Sequence, residues 1–243
     1  TTQLGMGNSA AFDGTGDYLS VPDSEDWNFG SGDLSVDYWV RFTTLSGAKQ
    51  LLGQNAAASR GWGMYKPDGG TGINFTYLAG SYNDVNFPYS FSVNVWYHIA
   101  AVRSGSNLTI YVNGIQSGNT HNIGASVINN SSSASFYIGE NIDTGYSLNG
   151  YLDELSVIKG RALTPEEIKA AASRRPYAVY TSPVVDAAAS VRWDTVNWTE
   201  GGVNTGNGEQ PYSANSLVAQ WDFNDTSGTT LTASSSGSCT TSC

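Results

Sequence analysis

Charge is scarce in this chain, and positive charge is scarcest. Asp, Glu, Lys and Arg together make up 13% of the residues, against about a quarter in ordinary globular domains. Eleven Lys and Arg face 21 Asp and Glu, for a formal net charge of −10. Nucleic acid and anionic membrane surfaces repel such a surface, so neither is an expected partner. Long apolar runs are also lacking. None approaches the roughly 20 residues that a membrane span needs, so no membrane insertion is expected. The N-terminus does not read as a secretory leader, and the chain reads as mature or excised from something longer. There are only two histidines and two cysteines in 243 residues. Cys239 and Cys243 close the chain as C-T-T-S-C. That spacing is neither the redox C-x-x-C nor a zinc pattern, and it reads as a small disulfide loop in an extracellular setting. The motifs of nucleophilic, zinc, nucleotide and phosphate chemistry are all missing.

What the chain has instead is Gly, Ser, Thr and Asn between aromatic and β-branched runs. Aromatics reach 12% and hydrophobic residues 40%. Many short strands with tight turns fit that profile, and disorder does not. In "LSVDYWVRF", Leu34, Val36, Tyr38, Val40 and Phe42 share one face, while Asp37, Trp39 and Arg41 share the other. That is a strand with period two. "WYHIAAVRSGSNLTIYVNGIQSG" reads as two strands, with Asn113-Gly114 as a type I′ hairpin turn into a third element. "SFYIGE" and "GYLDELSVIKG" read as further strands. One helix is expected in "LTPEEIKAAASRR", near 165–174: Thr164 caps it, Pro165 opens it and Glu167 completes a capping box. Glu166 with Glu167, and Arg174 with Arg175, suit the two ends of its dipole. The fold class is therefore all-β, a two-sheet antiparallel sandwich with one short helix and a strand-bearing C-terminal extension. The texture changes near 175 and again near 215, giving segments 1–175, 176–215 and 216–243. N-x-S/T matches at Asn74, Asn107, Asn129, Asn130, Asn197 and Asn224 are compatible with secretion, although chance supplies most of them in so polar a chain.

Several residues are candidates for chemistry. In "YLDELSV", simple alternation puts Asp153 on the face of Tyr151, Leu155 and Val157. A carboxylate among apolar side chains needs a hydrogen-bond partner or a metal. Trp62, Tyr65, Tyr77, Tyr82, Asn83 and Asp84 combine rings that can stack on sugars with groups that can bond hydroxyls; equally, such aromatics fill sandwich cores. No catalytic residue is assigned. Asp153 and Glu154 are adjacent and face opposite sides, so they do not form the spaced carboxylate pair of a glycosidase. His98 lies in a strand and reads as structural.

Six segments in order, "AAFDGTGDYLSVPDSEDWNFGSGDLSVDYWVRF", "LLGQ", "GWGMYK", "WYHIAAVRSGSNLTIYVNG", "FYIGE" and "LNGYLDELSVIKGRALTPEEI", resemble the laminin-G-like, concanavalin A-like jelly-roll family. The resemblance spans roughly residues 5–172. It implies two antiparallel sheets face to face, and a structural Ca2+ held by Asp13, Asp17 and Asp153 with backbone carbonyls. Family members begin with a strand like "LVAYWPFDEGSGTT". Here the similar stretch, "LVAQWDFNDTSGTT", lies near the C-terminus. Three arrangements follow: one period of a tandem array, closure of the chain's own sandwich, or donation to the next copy. Val218, Trp221 and Phe223 would be the assembly strand. The function expected is a non-enzymatic extracellular or cell-surface structural and adhesion module. In it, neighbouring copies or tandem domains join by C-terminal strand addition. The alternative is a calcium-stabilised carbohydrate-binding module with glycan partners.

Overall fold

The computed structural model describes residues 9–56, 59–128, 134–142, 144–173, 217–221 and 235–236; for 55–56, 59–60, 217–221 and 235–236 it describes the backbone alone. Phe223, Cys239, Cys243, Arg174 and Arg175 lie outside the described residues, as does all of 176–215.

Elements run in chain order as β1 (Ala10–Asp13), β2 (Leu19–Val21), β3 (Leu34–Phe42), β4 (Lys49–Ala56), β5 (Ser59–Lys66) and β6 (Ile73–Ala79). They continue as β7 (Ser81–Phe87), β8 (Trp96–Ser104), β9 (Asn107–Val112), β10 (Ile115–Asn122), β11 (Phe136–Ile138), β12 (Glu140–Asn141) and β13 (Tyr146–Ser147). Last come β14 (Asn149–Lys159), α1 (Pro165–Ala172), β15 (Leu217–Trp221) and β16 (Ser235–Ser236). Among the described residues there are two main antiparallel sheets. The larger has eight strands in the order β10-β9-β8-β3-β14-β15-β16, with β1 also paired to β14. The smaller has six, in the order β2-β11-β4-β5-β6-β7. They form the sandwich expected of a jelly roll.

Alternation along the central strands builds the core. Leu34, Val36, Tyr38, Val40 and Phe42 of β3 point inward and are fully buried, as expected from their spacing. From the other sheet come Trp62, Met64, Ile73 and Phe75. The aromatic centre is close-packed: Trp27 stacks on Phe136 at 4.6 Å, and Phe29 lies 4.9 Å from Trp62. The Trp62 indole N–H donates to the Trp27 carbonyl at 3.1 Å, so the largest core side chain leaves no buried donor unpaired.

The hairpin from β9 to β10 turns where Asn113 and Gly114 adopt φ of 51° and 78°, the left-handed pair that a type I′ turn requires. A Cβ on Gly114 would lie 3.1 Å from the Lys169 backbone, so glycine also lets α1 approach. The helix has the expected capping box. Glu167 N–H donates to Thr164 Oγ1 at 3.2 Å, and Thr164 N–H donates to a Glu167 carboxylate oxygen at 2.9 Å. Its buried face, Ile168 and Ala171, packs with Leu163 on Ala100, Val102 and Ile158, on the outer side of the larger sheet.

β14 has two neighbours along one edge. Residues 149–152 pair with β1, and residues 155–158 pair with the β15 backbone, Leu155 opposite Trp221 and Ile158 opposite Leu217. The segment holding Val218 and Trp221 thus lies against β14 of its own chain.

Candidate functional site

The outer faces of the two sheets differ, and the difference locates the site. On β7, Tyr82, Asp84 and Asn86 alternate with Asn83, Val85 and Phe87; the first three are exposed, and Phe87 is buried. Period two thus sets an aromatic ring, a carboxylate and an amide in one outward row. Register places Asp84 opposite Thr76 and Asn86 opposite Asn74, while Asn74 stands opposite Tyr65 on β5.

Hydrogen bonds knit this row. The Tyr65 hydroxyl donates to Asp84 Oδ2 at 2.6 Å, and the Asn74 amide donates to Asp84 Oδ1 at 2.6 Å and to the Tyr65 hydroxyl at 3.1 Å. The Asn86 amide donates to Asn74 Oδ1 at 2.6 Å and to the Thr71 carbonyl at 3.1 Å. Burial, followed by the bond to Asp84 and its negative charge, pushes the Tyr65 phenol well above its ordinary pKa. The phenol therefore stays a neutral donor at physiological pH. A half-buried ring, an exposed ring at Tyr82 and fixed acceptors and donors around Asp84 can stack on a sugar and bond its hydroxyls. Asp84 is the sole carboxylate in this network, so the network does not offer the carboxylate pair that glycoside hydrolysis uses.

Three of the six expected glycan residues do not share the outer row. Trp62 and Tyr77 are core residues, 0% and 5% exposed. The reason is alternation: Trp62 shares its face with Met64, and Tyr77 shares its face with Phe75 and Ile73. Asn83 is on the opposite side of β7 from Asp84, and its amide donates to the Ser81 carbonyl at 2.8 Å. Tyr65, Tyr82 and Asp84 do share the outer face. Asn74 and Asn86 were not anticipated, although alternation in "INFTY" and "YNDVNF" carried the signal. The Asn74 sequon is buried within this network, its residue 7% exposed.

The three expected calcium ligands do not form one set. Asp13 Oδ1 accepts from Thr15 N–H at 2.7 Å, and Asp17 Oδ2 accepts from Asp13 N–H at 2.9 Å. These carboxylates shape their own turn. Asp13 pairs with Asn149, whereas Asp153 stands further along β14, opposite Trp39. Simple alternation does not hold through Asp153. A bulge lies between Asp153 and Ser156, with Glu154 at φ 51°. The extra residue inverts the facing, so Leu152, Leu155 and Val157 enter the core while Asp153 lies outside it. Asp153 Oδ1 accepts from the Glu154 N–H at 2.9 Å. Among the described residues, no group of three or more His, Cys, Asp or Glu gathers as a metal would require. Asp13, Asp17 and Asp153 therefore do not fit a shared Ca2+.

Asp153 belongs instead to a buried polar row on the outer side of the larger sheet. His98 Nε2 lies 3.1 Å from Asp37 Oδ2, with both residues at most 3% exposed, and Trp39 packs edge-on to the His98 ring at 5.4 Å. His98 is thus structural, as its strand context suggested. Among the described residues, no helix is long and apolar enough to cross a membrane.

The two-sheet sandwich agrees with the comparisons to known proteins. The family described as the concanavalin A-like lectin/glucanases superfamily (Laminin_G_3) matches residues 13–169, and the chain belongs to it. No curated protein matches the sequence. Among solved structures, the chain is similar to domain 4 of AbnA, a GH43 extracellular arabinanase from Geobacillus stearothermophilus, in complex with arabinotriose. The TM-score is 0.54 and the identity 21%, over 68% of this chain and 76% of that one. It is also similar to a candidate carbohydrate-binding protein from Bacteroides ovatus, with TM-score 0.53 and 16% identity, over 66% of this chain and 45% of that one. A heptameric SAP-like pentraxin from Limulus polyphemus aligns with TM-score 0.50 and 18% identity, over 67% and 80%. Identities this low speak for the fold alone.

Proposed function

We propose that this chain is a non-enzymatic carbohydrate-binding module whose glycan lies on the outer face of the six-stranded sheet. The observation that carries the reading is the outward row Tyr82, Asp84 and Asn86, tied to Tyr65 and Asn74 by hydrogen bonds. The superfamily includes lectins, and the AbnA domain was solved with arabinotriose; both make oligosaccharides the right probes. In this reading the setting is extracellular. A glycan array followed by calorimetry tests it. The intact chain should bind a defined oligosaccharide, and Tyr82→Ala should weaken that binding by about tenfold, equivalent to about 1.4 kcal/mol. A folded chain with no array signal above background would end the proposal.

The second reading is a structural or adhesion unit assembled through its C-terminal strand. The register of Leu217–Trp221 on β14 supports a strand-addition site at that edge and favours closure within one chain over donation. Light scattering on the intact chain and on one ending at residue 215 separates the two. Association that disappears on truncation supports donation; two monomers, with the shorter melting lower, support closure. A structural Ca2+ would need donors beyond Asp13, Asp17 and Asp153. A melting temperature unchanged by chelator would remove it from either reading.

A further inference from the structure

A separate cleft of about 390 Å³ opens at one end of the sandwich, lined by Leu45, Lys66, Asp68, Tyr89, Phe91 and the Gly69–Gly72 loop. Its volume lies within the roughly 300–1,000 Å³ of small-molecule sites. The loop is held in place from two sides. Asn86 bonds the Thr71 carbonyl at 3.1 Å, and a Cβ on Gly72, at φ +94°, would lie 1.9 Å from the Phe87 carbonyl oxygen. Only glycine fits there, so the lip is fixed by backbone contact. Tyr89 and Phe91 form an aromatic wall, their ring centroids 4.8 Å apart.

The charge here runs against the rest of the molecule. Lys49 and Lys66 stand directly opposite each other in the β4–β5 register. Like charges so placed destabilise a sheet. Lys66 is 5% exposed, and its ammonium donates to the carbonyls of Leu45 at 2.6 Å and Pro67 at 2.9 Å. Burial lowers its pKa; Asp68 offsets this in part, and the charge of Lys49 lowers it further. Neither lysine forms an ion pair among the described residues. A chain with net charge −10 and 11 Lys and Arg has thus set two of its cations against each other beside a cleft.

We propose that this cleft binds a carboxylate-bearing sugar, with the sugar ring on Tyr89 and the carboxylate at Lys66 within the field of Lys49. An anion there relieves the lysine repulsion, and the aromatic wall with its hydroxyl-bearing neighbours Ser46, Thr71 and Ser90 suits a pyranose better than a bare ion. The cleft lies apart from Tyr82 and Asp84 of the sheet-face row and shares with that row only the Asn86 bond to the Thr71 carbonyl.

The test is calorimetry on the intact chain with a galacturonate trimer, the neutral galactose trimer and sodium acetate, at low salt and at about 0.3 M salt. The acidic trimer should bind about tenfold tighter than the neutral one and weaken as salt rises. Lys49→Gln should weaken it about three- to tenfold while leaving the melting temperature unchanged or raised, because it removes a like-charge pair. Asp68→Asn should strengthen it, and Tyr89→Ala should weaken it. Tyr82→Ala should leave it unchanged, which separates this site from the sheet-face proposal. Equal binding of the two trimers, equal competition by acetate, or an unaltered affinity in a folded Lys49→Gln chain would each overturn the assignment.

Discussion

The outer faces of the two sheets have similar ingredients and opposite treatment. Each carries a carboxylate, an aromatic ring and a further polar partner: Asp37, Trp39 and His98 on one, Asp84, Tyr65 and Asn74 on the other. On the larger sheet these groups are buried, Asp37 at 3%, His98 at 1% and Trp39 at 7% exposure. On the smaller sheet the row ends in open solvent at Tyr82, 41% exposed. Similar groups are therefore structural on one side and open to solvent on the other. Exposure decides which, because a buried polar group contributes to stability only through partners it already has.

Substitutions on the two faces should separate accordingly. Asp37→Ala takes the carboxylate away from the buried His98 ring and should cost about 3–5 kcal/mol, read as a lower urea midpoint; replacing both residues by leucine should cost less. Arg103→Met should follow. This fully buried guanidinium donates to the carbonyls of Gly30, Gly105, Gly124 and Ser126. Removing those bonds should cost about 3 kcal/mol; the Gly30 carbonyl keeps a second donor in the Ile128 N–H. Tyr65→Phe, on the half-exposed row, should cost about 1 kcal/mol. Tyr82→Ala should change stability by no more than about 0.5 kcal/mol while weakening glycan binding. An Asp37→Ala chain as stable as Tyr82→Ala would erase the comparison.

Alkali sharpens it further. Burial raises the pKa of Tyr38, Tyr65, Tyr89 and Tyr111 above the ordinary value. The folded chain keeps these protons where the unfolded chain has lost them. Stability from this source is complete below about pH 10 and falls as pH rises beyond it. Ultraviolet titration should find Tyr65 still protonated at about pH 10, and denaturation midpoints should drop above about pH 10.

Much of this was legible residue by residue, and the failures have local causes. The β3 alternation, the Asn113-Gly114 turn and the Thr164–Glu167 capping box each depend on contacts within a few residues, so spacing alone identified them. Asp153 was misread because one extra residue at Glu154 reverses the facing of β14, and no glycine or asparagine marks that bulge. Spacing alone leaves Trp62 and Tyr77 open as ligand groups, because an aromatic residue serves a core and a sugar equally well; the pairing of β5 with β6 assigns them to the core. The Lys49–Lys66 opposition was hidden because the two residues are 17 positions apart and meet only through the register of their strands.

The all-β class, the superfamily, the capped helix and the acidic composition are written in local periodicity, turn chemistry and residue content, and so were legible along the chain. The tertiary structure decided which of two similar polar rows is buried, where the bulge turns a carboxylate out of the core, and which cations meet at a cleft. Those outcomes depend on register between strands distant in sequence, where a shift of one residue exchanges the inside of a sheet for its outside.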